Sequence, residues 1–234
     1  MCMITLVIVQ VSVFLTTIYL HRALTHGGLV LNRALSVLFH LHLALFTGIK
    51  PRQWVAVHRK HHHFSDVEGD PHSPLLLGLW TVLLGNAFLY RKEAAIRATI
   101  IKYTPDYKDD LLDKMPLGGL AILAGLGFFM LMFGWAWGAA LFAAQAVVYI
   151  LLNSSINSVC HMIGYRNFKN QATNLQFLAM VTGGEALHNN HHEYPSSALF
   201  ALKKGEFDPG WIVIRLLELV GLAKINRLPI AKAA

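Results

Sequence analysis

Apolar side chains dominate residues 1–20 and again residues 115–165, and neither stretch contains a Lys, Arg, Asp or Glu. A membrane-spanning helix needs about 20 mostly apolar residues. The first stretch therefore predicts one span over approximately residues 3–20, and it lacks the basic start and small-residue cleavage site of a signal peptide. The second predicts two spans, over 117–133 and 140–160, with Gly134, Trp135, Trp137 and Gly138 as the turn and the tryptophans at the membrane interface. A further apolar stretch, 29–48, is interrupted by Arg33, His40 and His42 and reads as an amphipathic or shallowly inserted helix. Residues 209–225 read as a final interfacial helix with Arg215 and Glu218 on its polar side. The basic segments at 50–60, 91–114 and 203–232 all fall outside the spans, and the positive-inside rule assigns them to the cytoplasm. The expectation is an all-α integral membrane protein forming a single domain over residues 1–234. It has about three transmembrane helices, interfacial helices and a cytoplasmic, His-rich cap made by residues 21–116 and 161–234, with the N-terminus on the opposite face.

Composition narrows this picture. A chain of 234 residues that is 55% hydrophobic and 14% charged is neither disordered nor a coiled coil. Its two cysteines, Cys2 and Cys160, build no disulfide framework and no C-x-x-C site, so any metal chemistry uses other ligands. The net charge of +7 suits anionic lipid or an anionic substrate head group, and with spans in place no nucleic-acid partner is expected. Histidine is the unusual residue, at 13 copies.

These histidines are grouped. His21 and His26 close the first span as H-R-A-L-T-H; His58, His61 and His62 lie in H-R-K-H-H; His188, His191 and His192 lie in H-N-N-H-H. Positions i, i+3 and i+4 share one helix face, which lets imidazoles reach a common metal. Adjacent histidines such as His61 and His62 point about 100° apart on a helix, so they serve two metals more easily than one. His161 ends the last span, and Asn153, Asn157 and His161 repeat at i, i+4, i+8, polar groups on one face of an apolar helix. Parity of the spans brings His161 to the side where the other clusters lie. His40, His42 and His63 read instead as satisfied interface residues, His63 being one step off the shared face. Imidazole suits Zn, Cu, Fe and Ni, but about nine histidines exceed what tetrahedral zinc needs, and iron at higher coordination fits the count. Two irons with open coordination positions bind and reduce O2, producing an oxidant able to break an unactivated C–H bond.

At these motifs the sequence resembles the membrane fatty acid desaturase family, specifically the acyl-CoA (stearoyl, Δ9-type) branch and its bacterial relatives. The likeness runs from Tyr19 onward through H-R-A-L-T-H at 21–26, W-V-A-V-H-R-K-H-H at 54–62, D-V-E-G-D-P-H-S-P at 66–74, N-S-V-C-H at 157–161 and G-E-A-L-H-N-N-H-H at 184–192. The resemblance implies a non-haem di-iron enzyme that removes two hydrogens from a fatty acyl chain, carried as acyl-CoA or acyl-lipid, using O2 and two electrons from an external donor. It implies that His21, His26, His58, His62 and His192 hold one iron, that His61, His161, His188 and His191 hold the other, and that Asn157 fixes a water ligand. Glu185, Asp66 and Asp70 then stand behind the ligands or serve structure, Asp70-Pro71 reading equally as a turn. The family has four spans with both termini cytoplasmic, whereas this sequence begins just before the segment matching the second. No H-P-G-G haem motif occurs in it, so the expected electron donor is a separate ferredoxin, or a cytochrome b5-like protein with its reductase. The substrate tail would lie in an apolar tunnel. Lys50, Arg52, Arg59, Arg91 and Lys92 are available to attract a phosphate or simply to form a lipid-facing basic rim.

Other activities share parts of this pattern. A membrane di-iron hydroxylase of a lipid or hydrocarbon, or a carotenoid-modifying or aldehyde-processing relative, carries similar histidines, and product analysis separates them from a desaturase. A metal transporter would need ligands near the bilayer midplane, whereas here the clusters sit at span ends and only Asn153 enters a span appreciably. An inactive scaffold would show no metal-dependent turnover.

Overall fold

The computed structural model describes residues 2–115 and 118–228. The expected start of the second span at residue 117, and the basic tail beyond residue 228, lie outside the described residues. The chain is mainly helical, in the order α1 (Cys2–Leu15), a π-helical segment (Thr16–Thr25), β1 (Leu29–Leu31), α2 (Arg33–Phe46), α3 (Pro51–Phe64), α4 (Pro74–Leu77), α5 (Leu79–Ala94), α6 (Arg97–Tyr103), α7 (Gly118–Phe133), α8 (Trp135–Ser158) with a 3₁₀ turn (Val159–His161), α9 (Gln176–Val181), α10 (His188–Glu193), α11 (Pro209–Leu219) and β2 (Ala223–Ile225).

Among the described residues two helical runs are long and apolar enough to cross a membrane, Met3–Thr25 and Trp135–His161. The first extends past the expected end at residue 20, so His21 and His26 ride on the spanning helix or its immediate end. Helix α7 is equally apolar but shorter over its described residues, Gly119–Phe133. It returns into α8 through Gly134 alone, whose φ of +81° suits a residue without Cβ. The expected four-residue turn is therefore wrong: Trp135, Trp137 and Gly138 belong to the first turn of α8. Gly138 is there because a Cβ would sit 2.5 Å from the Met130 backbone of α7. Close backbone approach through small residues is the usual way apolar helices pack without a hydrophobic driving force. Helix α2 packs on α7, and α1 and α5 pack on α8.

Asn32 caps α2 by accepting from the Ala34 amide at 2.9 Å, so the helix starts at Arg33 and residues 29–31 are strand instead of the expected helix. Helices α2 and α3 meet at 88° across the break at residues 47–50, where Gly48 has φ +67° and Pro51 supplies the first residue of α3. Counted as one broken span, this pair would bring the total to three. The last expected helix, 209–225, is also shorter than its pattern suggested. It ends at Leu219, turns through Gly221, and its final three residues pair antiparallel with β1, Leu29 opposite Ile225. Arg215 and Glu218 do share its polar side, joined as an ion pair.

Gly138→Ala forces the α7 and α8 backbones apart and is expected to cost roughly 1–3 kcal/mol, read as a lower unfolding temperature in detergent micelles. Gly127→Ala, on the same hairpin but with open space around its Cβ, is expected to leave that temperature unchanged or slightly raised.

Candidate metal centre

His21 and His26 are five residues apart, which on an α-helix separates them by about 140°. The π-helical segment removes that separation, because its i→i+5 bonds stack residue i+5 on residue i. The His26 amide donates to the His21 carbonyl at 3.2 Å, and the two rings lie 4.9 Å apart. Threonine side chains support the wide turns: the Thr25 hydroxyl donates to the Leu20 carbonyl (2.7 Å) and that of Thr16 to the Ser12 carbonyl (2.9 Å).

Nine imidazoles from four parts of the chain converge into two groups. One comprises His21, His26, His58, His62 and His191, the other His61, His161, His188 and His192, with one nitrogen per residue lying within 4.8 Å of the others in its group. All nine sequence candidates are brought together, but His191 and His192 occupy the opposite groups from those implied by the resemblance. His191 Nε2 is 2.9 Å from both His21 Nε2 and His62 Nε2, whereas His192 Nε2 is 3.1 Å from His188 Nε2. The reason is helical geometry. In α3 the i, i+4 pair His58 and His62 shares a group while His61 turns away, and in α10 the i, i+4 pair His188 and His192 does the same while His191 turns away.

The chemistry of this donor set fits metal ions. Among the described residues the buried Nε2 atoms of His26, His58 and His61 have no partner, and Nε2 atoms within a group face one another, as those of His161 and His188 do at 3.1 Å. Burial, and after it the neighbouring imidazoles, holds His188, His191 and His192 well below the ordinary value of 6.5, so they are neutral and able to coordinate. Three carboxylates fix the far side of the rings. Glu185 contacts His21 Nδ1 at 2.6–2.7 Å, Asp70 contacts His61 Nδ1 at 3.0 Å, and Asp66 contacts His161 Nδ1 at 2.6 Å. A carboxylate behind a ligating histidine sets its tautomer and orientation. Burial pushes the Asp70 carboxyl up, but the hydrogen bond and charge of His61, with His72, outweigh it and hold it down at about 2. Asp66 adopts φ +61°, a left-handed conformation unusual for a residue with Cβ, held by the Ser73 hydroxyl (2.7 Å) and by its own amide donating to Asp70 (2.9 Å). The Asp70-Pro71 turn is thus also the support of a histidine.

Arg22 braces the same region. All five of its N–H groups are used, on Thr17 Oγ1, the Ala198 and Gly183 carbonyls and both oxygens of Asp208, at 2.7–3.1 Å. Its guanidinium covers the Phe200 ring (3.8 Å to the centroid), and that ring packs on His191 and His21. Of the histidines set aside in the sequence, His63 is exposed, His42 contacts Ser12 Oγ at 2.9 Å, and His40 is buried against Asp110 at 2.8 Å, not at the surface. His72 was missed although its motif, D-P-H-S-P, was noted. It is 3% exposed, both ring nitrogens lack hydrogen-bond partners among the described residues, and its ring lies 4.8 Å from that of His61.

A cavity of about 610 Å³ is lined by His21, His58 and His72 and also by the exposed cations Lys50 and Arg91. Asn157 and Asn153 line it. Arg59 and Arg52 are engaged elsewhere, Arg59 with Asp106 and the Leu24 and Thr25 carbonyls, Arg52 with Thr104 and Asp109.

Apolar helices bearing two buried all-imidazole groups are the marks of a membrane metalloenzyme. The family model for fatty acid desaturases matches residues 1–205. Delta-9 acyl-lipid desaturase 2 of Arabidopsis thaliana is 34% identical over 91% of this chain and 70% of its own length. The sn-1 stearoyl-lipid 9-desaturase of Synechocystis sp. is 31% identical over 91% of this chain and 67% of its own length, and the icosanoyl-CoA 5-desaturase of Limnanthes douglasii 34% over 91%, although the chain spans only 61% of that relative. The chain belongs to the fatty acid desaturase family and is an oxidoreductase of lipid metabolism.

Arg22→Ala leaves the buried Asp208 carboxylate without its counter-charge and is expected to cost roughly 3–5 kcal/mol, measured as loss of folded protein on heating in detergent; Arg22→Lys recovers little, since an ammonium cannot fork between five acceptors. For the metal-free protein, histidines that stay neutral when folded but take protons when unfolded make stability fall with acidity. Its unfolding temperature is expected to drop as pH goes from about 7 to 5 and to stay nearly flat from about 7 to 8.

Proposed function

We propose that this chain carries out O2-dependent desaturation of a fatty acyl chain at a non-haem di-iron centre, with the active site on the cytoplasmic side of the membrane. The observation that carries this reading is the pair of all-imidazole groups, the first of which lends His21 and His58 to the lining of a largely apolar cavity. His21, His26, His58, His62 and His191 would hold one iron, His61, His161, His188 and His192 the other, and Asn157 a water ligand. When bound, two irons supply a site for reducing O2 to an oxidant strong enough to abstract hydrogen from a methylene. The overall reaction balances when O2 takes two electrons from the acyl chain and two from a donor, with two protons from solvent, giving one double bond and two waters.

The protein's own groups prepare that chemistry. Glu185, Asp70 and Asp66 keep the Nδ1 protons of His21, His61 and His161 in place so that Nε2 faces inward. The walls of the cavity, Val13, Val57, Ile122 and Ile156 among them, hold an alkyl chain extended and exclude water from the reacting carbons. Electrons come from a separate protein, a ferredoxin or a cytochrome b5-like carrier with its reductase. The acyl carrier is CoA or a membrane lipid.

Cells expressing the chain are expected to gain an unsaturated fatty acid, located by mass spectrometry with double-bond assignment, that is absent with His61→Ala and with His191→Ala. His63→Ala is expected to retain most of it. A hydroxylated acid in place of the alkene would replace this reading by that of a hydroxylase, and metal uptake without either product by that of a transporter. Purified protein is expected to contain about two irons per chain, reduced in the two inactive variants, and chelation is expected to lower its unfolding temperature.

A further inference from the structure

The cavity is lined largely by apolar side chains, yet it contains polar groups with no partner. Asn86 and Tyr90 lie four residues apart on α5, hence on one face, and both line the cavity. Asn86 is 8% exposed, and neither its Oδ1 nor the buried Tyr90 hydroxyl has a hydrogen-bond partner among the described residues. Other polar groups in the same cavity differ. The Tyr149 hydroxyl is 2.7 Å from Thr16 Oγ1, and Asn153 donates to the Tyr149 carbonyl at 2.9 Å. His72 and Ser154 also lack partners, but His72 stands against His61, at the metal centre, and Ser154 lies one turn from Asn157.

Leaving a buried hydroxyl and a buried amide unmatched is costly, and methylenes cannot satisfy them. Whatever fills this part of the cavity must pair with the Tyr90 hydroxyl, which donates or accepts, and with the Asn86 carboxamide, which offers its oxygen as it stands and its N–H donors when the amide is turned over. Position narrows the choice: Tyr90 precedes Arg91, and Arg91 and Lys50 are exposed cations on the same cavity that pair with no carboxylate among the described residues. Helix α5, which carries Asn86 and Tyr90, packs on α8, whose Tyr149, Asn153 and Asn157 line the same cavity. Tyr149 and Asn157 are eight residues apart on α8, about 12 Å along its axis, which is the length of an extended chain of some nine or ten carbons. A group at Tyr90 therefore stands next to the cation Arg91 in the lining, with the wall of α8 available to an alkyl segment of that length.

We propose that the Tyr90 hydroxyl and the Asn86 amide bind the carbonyl oxygen of the acyl chain, and that this contact sets which carbons lie beside the histidine groups. A carbonyl oxygen has two lone pairs and accepts from both donors, and a half-turn of the Asn86 carboxamide places its nitrogen where its oxygen stands. The assignment rests on the desaturase reading. An ester and a thioester offer the same acceptor, so the recognised chemistry is an acyl carbonyl next to an anionic head.

The test has two arms. In cells, Tyr90→Phe and Asn86→Leu are made singly and together, and double-bond positions in the product are compared with those of the unmutated chain. A spread over neighbouring positions is expected, largest in the double variant, with the iron content of the purified protein unchanged. In detergent micelles, binding of stearoyl-CoA, distearoyl phosphatidylcholine and octadecane is followed by the shift in unfolding temperature. Carbonyl-bearing probes are expected to bind more tightly than octadecane, and Tyr90→Phe to weaken them about three- to tenfold without affecting octadecane. Preference for one of the two carbonyl probes identifies the carrier. A single unchanged double-bond position in the double variant, together with unchanged binding, overturns the proposal and leaves these groups to water. If the unmutated chain yields no unsaturated product while the Tyr90-dependent binding preference persists, the desaturase reading falls and the carbonyl site stands.

Discussion

A buried positive charge organises this protein. Arg22 lies between the two histidines of the first motif, and its side chain is fully inside, so each N–H needs an acceptor from the chain itself. Four of the five acceptors it finds belong to residues 183, 198 and 208, the segments that flank the third histidine motif. One guanidinium therefore joins the end of the first membrane helix to the loops that carry His188, His191 and His192. Arg59 repeats the device between His58 and His61, binding the Leu24 and Thr25 carbonyls. Each arginine sits inside one histidine motif and fastens another, which is how donors far apart in sequence are kept at fixed separation.

A second constraint acts behind α10. Asn189 and Asn190, the residues between the histidines of that turn, are buried and spend their amides on Asn170, Ala172, Phe200 and Glu206. Asn174 accepts from both of their backbone amides. A helix of six residues has little intrinsic stability, so its orientation comes from these neighbours. The rigidity of the site is thus borrowed from polar networks at its periphery, which suits imidazoles that must hold their nitrogens toward one another.

Much of this was legible in the sequence because its signals are periodic. Uncharged runs gave the apolar helices, and i, i+3, i+4 spacing placed His58, His61 and His62 on adjoining faces and assigned neighbouring histidines to different metals. What stayed hidden depends on tertiary partners. The pairing of His192 with His188 is the exception, since it repeats the i, i+4 spacing of His58 and His62 and was legible, although the resemblance implied the other grouping. The residues 223–225 look like a helix continuation until β1 offers them a strand to pair with. His40 reads as an interface residue because Asp110, seventy positions away, leaves no local trace. His72 stood in a motif already noted, but its isolation from any partner is visible only in three dimensions. Arg22 was read as a letter of its motif and Arg59 as part of a basic rim, since the carbonyls they bind carry no sequence signature.

The π-helical segment has a consequence for how the chain tolerates change. It accommodates one more residue per turn than an α-helix between His21 and His26, so it behaves as a helix with an inserted residue absorbed at the site. Loss of one residue there would restore ordinary winding while rotating everything upstream by about 100° about the helix axis. Val9 and Val13, now packed beside Tyr149, would swing away, and side chains such as Met3 and Val7 that face outward would come round toward the bundle. The angular phase of the first membrane helix is thereby locked to the metal centre, and the count of residues joining them is as much a property of the site as the histidines themselves.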